Sequence, residues 1–250
     1  MGHIHIGTSG WHYKHWRGPF YPENLPQDKW LRYYFERLSS VEINNSFYRL
    51  PRAETVINWR EQTPPNFVFA AKAWRLITHL KRLKDTQAAL EAFFTCIENF
   101  QGKLGPILFQ LPPHWNCNVE RLHAFLDGLP KKHRYTFEFR NANWHLPEIY
   151  SMLEHHRATF CIYQLAGFTS PLISTADFVY VRLHGPAEKK YEGDYPIETL
   201  HAWAERARSW LRQGKEVYIY FDNDQAGYAV KNAITLQEMT VAKKSGAHVL

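Results

Sequence analysis

In the run "VEINNSFYRL", residues 41–50, Glu42 and Asn44 put a carboxylate and an amide into what is otherwise a short apolar strand pattern. Side chains alternate faces along a strand, so Glu42 and Asn44 point one way while Val41 and Ile43 point the other. The same division recurs in four further runs. Val68, Ala70 and Lys72 oppose Phe67, Phe69 and Ala71, and Leu108 and Gln110 oppose Ile107, Phe109 and Leu111. Thr136, Glu138 and Arg140 oppose Tyr135, Phe137 and Phe139, and Arg182 and His184 oppose Val179, Val181 and Leu183. With Asn223 after the last apolar run, the set holds two carboxylates beside the cations Lys72, Arg140 and Arg182. Glu42, Glu138 and His184 are of the types that move protons in catalysis, and the cations and amides are of the types that grip an anion. The same set would also serve as a structural ion-pair plug, because buried charges are normally paired.

The elements that must position these residues follow from periodicity. Strand patterns cover Ile4–Gly7, Val41–Asn44, Phe67–Lys72, Pro106–Leu111, Arg134–Arg140, Ala158–Tyr163, Phe178–His184 and Glu216–Phe221. Helical patterns cover Gln27–Leu38, Ala53–Gln62, Thr86–Phe100, Val119–Leu129, Leu146–His156, Ile197–Arg212 and Ala226–Val241. Only "QLAGFTSPLIS", after the sixth strand, is too short and too Pro/Gly-marked for a full helix. Eight strands alternating with seven helices predict an α/β fold of the TIM-type (β/α)8 barrel class in a single domain over 1–241, with a frayed tail at 242–250. A doubly wound open sheet is the weaker alternative. In such a barrel the helix-facing side of each strand must be apolar, and the site lies at the C-terminal strand ends. Each polar pair falls there.

The first βα loop, "GTSGWHYKHWRGPFYP", adds Trp11, Tyr13, Trp16 and Tyr21 to Gly7 and Gly10. The glycines allow unusual dihedrals or close approach, and the rings suit either stacking on a base or sugar or plain packing of the loop. After the third strand, "THLKRLKD" carries His79, Lys81, Arg82 and Lys84, a solvated face or a reach toward an anionic ligand. His3 and His5 lie deeper than the strand ends, as core or bottom-layer histidines.

The 250 residues, 45% of them hydrophobic, can bury a sizeable core, and a net charge of +6 with pI near 9.1 tilts mildly toward anionic partners, though solubility alone explains such an excess. Cys96, Cys117 and Cys161 are odd in number and scattered, which excludes a disulfide framework and fits a reducing cytoplasm. The histidines show no metal-ligand spacing either, so no metal ligands are assigned. No export signal or membrane-spanning run is found, and no G-x-S-x-G, Walker, H-E-x-x-H or G-x-G-x-x-G motif points to a cofactor or nucleophile. Substrate, metal dependence and oligomeric state have no signature in the sequence.

Seven stretches, "GTSGWHYKHWRGPFYP", "VEINNSFYRLP", "FVFAAKAWRLITHLKRL", "LGPILFQLPP", "YTFEFRNANW", "ADFVYVRLHG" and "YIYFDNDQAGYAVKNA", together resemble the YecE-like family of bacterial and archaeal proteins, known by a domain-of-unknown-function label. The resemblance runs from about Gly7 to Leu236. It implies a TIM-barrel-like fold without an established activity, and family motif positions at Trp11, Tyr13, Trp16, Glu42, Asn44, Tyr48, Lys72, Gln110, Glu138, Arg140, Trp144, Arg182, His184 and Asn223. Two departures stand out: "FDND" places Asp222 where the family usually has Asn, and "IYQLAG" lacks an acidic residue more usual there. The barrel of endonuclease-four-like enzymes is similar at the level of fold alone.

The leading reading is a barrel that binds a phosphorylated or nucleic-acid-derived ligand, an anionic small molecule or nucleic acid, with hydrolysis as its enzymatic version. Lys72, Arg140 and Arg182 would hold the anion, and Glu42 or Glu138 would be the acid/base. A glycosidase-like hydrolase using Glu42 and Glu138, with the first-loop tryptophans as a sugar platform, and a non-catalytic binding module remain as alternatives.

Overall fold

The computed structural model describes residues 2–241. The tail expected at 242–250 lies outside them. All eight expected strands form: β1 (Ile4–Ser9), β2 (Ser40–Ile43), β3 (Val68–Lys72), β4 (Leu104–Leu111), β5 (Tyr135–Phe139), β6 (Thr159–Leu165), β8 (Phe178–Leu183) and β9 (Glu216–Phe221), with a two-residue β7 (Phe168–Thr169) between the sixth and seventh. The sheet order is β5-β4-β3-β2-β1-β9-β8-β6-β7, and β5 pairs in turn with β6, so the order returns on itself. The chain is a TIM-type (β/α)8 barrel. Its residues group into two compact units, one of 1–41, 163–171 and 181–250, the other of 42–162 and 172–180.

The helices are α1 (Trp30–Phe35), α2 (Asn45–Tyr48), α3 (Ala53–Gln62), α4 (Gln87–Ile97), α5 (Val119–Asp127), α6 (Pro147–His155), α7 (Ile197–Arg212) and α8 (Tyr228–Val241). Their apolar stripes turn inward at helical spacing, as Leu200, Trp203, Ala204, Ala207 and Trp210 do on α7. Asn118 caps α5 by accepting from the Arg121 amide at 2.9 Å, and Pro147 opens α6 where a missing N–H costs nothing.

Several boundaries differ from the periodic pattern for local backbone reasons. The first helix begins as a 3₁₀ turn at Gln27–Lys29, closed by the Lys29 amide on the Pro26 carbonyl at 3.0 Å. The expected helix Thr86–Phe100 stops at Ile97 and continues as a 3₁₀ stretch in which Gln101 has φ 53°. The last helix starts at Tyr228 because Ala226, at φ 52°, is left-handed. The segment after the sixth strand is a hairpin, not a helix. Gln164 pairs antiparallel with Thr169 across a turn in which Ala166 (φ 51°) and Gly167 (φ 75°) are both left-handed.

Within the first unit, Tyr34 is the internal strut. Its hydroxyl accepts from the Thr8 amide and donates to the Ser40 carbonyl, each at 2.9 Å, tying α1 to β1 and the start of β2. At the bottom of the same strands, His5 bonds Glu216 at 2.9 Å and stacks on Tyr218 at 4.8 Å, its register partner. The second unit is packed by rings: Phe69 on Phe100 at 4.4 Å, Phe109 on Phe137 at 5.2 Å and Phe139 on Trp144 at 5.1 Å. Among the described residues no helix is long and apolar enough to cross a membrane.

Gly7 is fixed by this geometry. A Cβ there would lie 2.0 Å from the Ser40 carbonyl oxygen, so the close approach is made by the neighbouring strand and not by a ligand. Backbone cannot swing aside as a side chain can. Gly7→Ala is expected to destabilise the fold by about 1–3 kcal/mol or more, measured as a lowered urea midpoint. A change below about 0.5 kcal/mol, the size of an ordinary surface substitution, would show that β1 shifts to absorb it.

Candidate functional site

In the second unit the parallel register of β4 and β5 sets Gln110 beside Glu138. Both strands present these side chains on the same face, and Gln110 Nε2 donates to Glu138 Oε1 at 2.8 Å. Glu138 is fully buried, and Arg140, two residues on and almost as buried, donates to the same oxygen through Nε. The Cys161 thiol faces the other oxygen at 3.8 Å. Glu42, also fully buried, accepts from the Tyr180 hydroxyl at 2.6 Å. Tyr180 sits on the seventh expected strand and was not singled out by sequence, because a tyrosine in an apolar run reads as core.

Beyond β2 the chain turns at once into the short α2, which the half-buried Asn44 opens. Ser46 holds that turn against the third strand by donating to the Ile43 carbonyl at 3.0 Å and the Lys72 carbonyl at 2.7 Å. Phe47 then lies under the Lys72 ammonium, 4.4 Å from Nζ to the ring centre. Its ring meets His79 edge-on at 4.9 Å, and its neighbour Tyr48 is 70% exposed. His79 comes from a π-helical turn, Leu76–Leu80, and its Nδ1 bonds Thr78 Oγ1 at 2.9 Å. Burial lowers the His79 pKa to about 4, and Lys72, Arg75 and Arg140 push it the same way against Glu138. In the sequence His79 is only one member of a basic run; the π turn that brings it beside Lys72 has no sequence signature. The rest of that run, Lys81, Arg82 and Lys84, is exposed.

The first unit carries a cluster of its own. Arg182 and His184 are fully buried at the end of β8, and Asp222, directly after β9, faces both. Its Oδ2 lies 3.1 Å from the Arg182 guanidinium and 3.0 Å from His184 Nδ1. Arg182 can only donate, so its 3.3 Å contact with His184 Nε2 makes that nitrogen an acceptor and leaves the proton on Nδ1, facing Asp222. Both imidazole nitrogens are thus engaged. Ser9 Oγ lies 3.4 Å from the same guanidinium. Asn223, fully buried, donates to the Gly193 carbonyl at 2.8 Å and to Asn232 Oδ1 at 2.9 Å, which makes it a tether between a loop and α8.

The aromatic residues expected to meet a ligand divide by exposure. Trp16 and Trp144 are wholly buried and Trp11 nearly so, and none offers an open ring face. Trp16 donates to the Asp224 carbonyl at 3.0 Å and packs on Tyr13, 4.8 Å away, while Tyr21 donates to the Trp11 carbonyl at 2.6 Å and stacks on Trp30. Trp144 donates to the Trp115 carbonyl at 2.8 Å. These rings brace the loops because each finds a partner ring and a carbonyl nearby. Asp224 carries a pKa raised by burial and by Asp222. It lines a cavity of about 420 Å³ with His15, Lys190 and Tyr191.

Residues 5–249 match the profile of a family described as "Protein of unknown function DUF72". The chain belongs to the DUF72 family. It is 26% identical to the UPF0759 protein YunF of Bacillus subtilis over 278 residues, 97% of this chain and 96% of that protein. It is 26% identical to YecE of Escherichia coli over 189 residues, 71% and 68% of the two chains. A solved DUF72 structure from Thermotoga maritima superposes with a TM-score of 0.87 at 29% identity, over 95% of this chain and 98% of that one. The YecE-like resemblance carried by the seven motifs is thus borne out, and the DUF72 barrel is the frame on which both clusters sit.

Two measurements check this geometry. The native state holds His79 neutral down to about pH 4, while an unfolded histidine protonates near 6.5. Between those values the unfolded chain binds more protons, so the His79 contribution to stability is complete above about pH 6.5 and is lost as the pH falls toward 4. Urea unfolding across that range is expected to show a smaller stability loss in His79→Gln than in wild type. Separately, Asp222→Ala removes a carboxylate from the buried Arg182 and is expected to cost about 3–5 kcal/mol by denaturant titration. A cost below about 1 kcal/mol, as for a surface pair, would assign the counter-charge of Arg182 elsewhere.

Proposed function

We propose that this DUF72 protein binds a phosphorylated or nucleic-acid-derived ligand at the C-terminal ends of β3 and β5, in the second unit. One observation carries the reading: the Lys72 ammonium lies over the Phe47 ring, 4.4 Å away, and that ring meets the half-buried His79, on which Lys72, Arg75 and Arg140 all act. Cations gathered at a half-buried group favour an incoming anion, and a guanidinium supplies it with paired, charge-assisted donors. Tyr48, exposed and in ring contact with Phe47 at 5.0 Å, adds an aromatic surface next to these cations on which a base can stack. Arg182, which the sequence also suggested for the anion, is engaged by Asp222 and His184 in the other unit and takes no part in this reading.

Binding is favoured over hydrolysis. Glu138 accepts from Gln110 and Arg140, Glu42 accepts from Tyr180, and both His184 nitrogens are occupied, so the expected acid/base groups are held by protein partners. A proton-transfer role would need one of them released by the ligand. The glycosidase-like alternative asks more, since its stacking tryptophans are buried.

The test is a thermal-shift screen of inorganic phosphate, sugar phosphates, nucleotides and short oligonucleotides on wild type and Arg140→Lys in parallel. A ligand at about 100 times its Kd adds roughly 2.7 kcal/mol, or several degrees at about 2–4 °C per kcal/mol. The expected outcome is at least one anion that raises the wild-type Tm and fails to raise that of Arg140→Lys, whose unliganded Tm stays near wild type. If no anion shifts either protein and Arg140→Lys alone melts many degrees lower, Arg140 belongs to a structural plug and the reading falls.

A further inference from the structure

The second unit brings together three ligand-type side chains that have no part in the cluster above. His123 and Asp127 are four residues apart on α5, so they share one helix face, and His123 Nδ1 lies 3.0 Å from Asp127 Oδ2. His156 is the C-cap of the following helix, α6. Its direction is fixed by a Schellman ending in which the Arg157 amide bonds the Glu154 carbonyl and the Ala158 amide bonds the Leu153 carbonyl, with Arg157 left-handed at φ 53°. That turn aims His156 Nε2 at Asp127 Oδ1, 3.7 Å away, which is too far for a hydrogen bond. The His156 side chain is only 6% exposed, and its Nε2 is buried with no hydrogen-bond partner. A buried imidazole nitrogen left unpaired calls for an explanation.

We propose that His123 Nδ1, Asp127 and His156 Nε2 bind a divalent zinc ion. The three ligand atoms already lie within 4.8 Å of one another. Around tetrahedral zinc, with bonds of about 2.0–2.2 Å, ligand atoms stand roughly 3.3 Å apart. His123 Nδ1 faces Asp127 Oδ2 at 3.0 Å and His156 Nε2 faces the other oxygen, Oδ1, at 3.7 Å, so the carboxylate lies between the two imidazoles and small side-chain rotations complete the set. Two imidazoles and one carboxylate suit zinc rather than magnesium, which prefers oxygen ligands and keeps its waters. His123 needs only its neutral Nε2–H tautomer to free Nδ1, and the lone pair of His156 Nε2 gains the acceptor it lacks. His123 and Asp127 are more than half exposed, so the ion has an entry path and a coordination position left for water. Asp127 and His156 also line a cavity of about 390 Å³ together with Tyr135, the first residue of β5. The site therefore lies at the opposite end of that strand from Arg140. There a metal would clip the ends of α5 and α6 together. This replaces the sequence reading that the histidines lack ligand spacing: two ligands are four apart on a helix, and the third comes from the cap of the next one.

The experiment is calorimetric titration of chelator-stripped protein with ZnCl₂ and, separately, MgCl₂, on wild type, His123→Ala, Asp127→Ala and the distant surface variant His201→Ala. Wild type is expected to bind one equivalent of zinc and no magnesium at the same concentrations. Loss of a residue that merely orients a metal ligand weakens binding about 10–100-fold, so His123→Ala and Asp127→Ala, which remove ligands, should weaken it at least about tenfold. Both residues are exposed, so the variants are expected to keep the fold, checked by unchanged circular dichroism, and His201→Ala should bind as wild type does. The proposal is overturned if wild type shows no saturable zinc binding, if both ligand variants stay within about threefold of it, or if magnesium binds and zinc does not.

Discussion

Two carboxylates and a guanidinium, Glu42, Glu138 and Arg182, lie wholly out of water in this chain, and the fold can hold them only by bringing donors or a counter-charge to each. An unpaired buried charge costs several kcal/mol, enough to unfold a marginally stable domain. Parallel strands solve this by register. Gln110 is level with Glu138 because β4 and β5 run together, Arg140 follows on the same face, Tyr180 brings its hydroxyl to Glu42, and Asp222 sits directly after β9 beside Arg182. Gln110, Arg140 and Asp222 do this at or just beyond the C-terminal ends of their strands, where the polar face can begin without breaking the apolar packing below it. The ring stacks under Phe139 and around Phe109 are the other half of that arrangement.

The two clusters satisfy the constraint differently. Around Arg182 the positive charge is met by Asp222, and His184 is locked between them, so the cluster is electrically and geometrically closed. Around His79, burial and the cations Lys72, Arg75 and Arg140 all lower the imidazole pKa, against Glu138. Buried ion pairs of the first kind contribute specificity of structure more than stability. At His79, by contrast, cations gather at a half-buried imidazole, and the proposed ligand site rests on that difference.

Much of this was legible before any coordinates. Period-two alternation identified the eight strands and set Glu42, Gln110, Glu138, Arg140, Arg182 and His184 on the polar faces of their runs, since alternation is a local property of the backbone. The short Pro/Gly-marked connection after the sixth strand was also readable as something other than a helix. What stayed hidden depended on long-range or rare backbone geometry. His79 reaches Lys72 through a π turn that no composition marks. Tyr180 serves a carboxylate on a strand far away in sequence. Trp11, Trp16 and Trp144 have the look of ligand platforms, yet all three are buried, Trp16 and Trp144 against partner rings and carbonyls. Helix starts moved where Ala226 took a left-handed conformation that alanine rarely adopts.

Where the sequence lacks a helix after β6, side-chain hydroxyls of the segment that follows the strand meet two of its backbone amides. β5 and β6 pair only at Thr136 with Thr159 and at Phe137 with Phe160. Beyond that, the Phe160 amide donates to Thr175 Oγ1 at 2.9 Å and the Thr175 hydroxyl donates in turn to the Ala158 carbonyl at 2.7 Å. The Tyr163 amide likewise donates to Ser170 Oγ at 2.9 Å. Each of these two amides rests on a single hydroxyl, and a hydroxyl bond breaks by rotation about one side-chain torsion. In the language of hydrogen exchange, these two amides are expected to open locally, ahead of the β6 amides held by neighbouring strands.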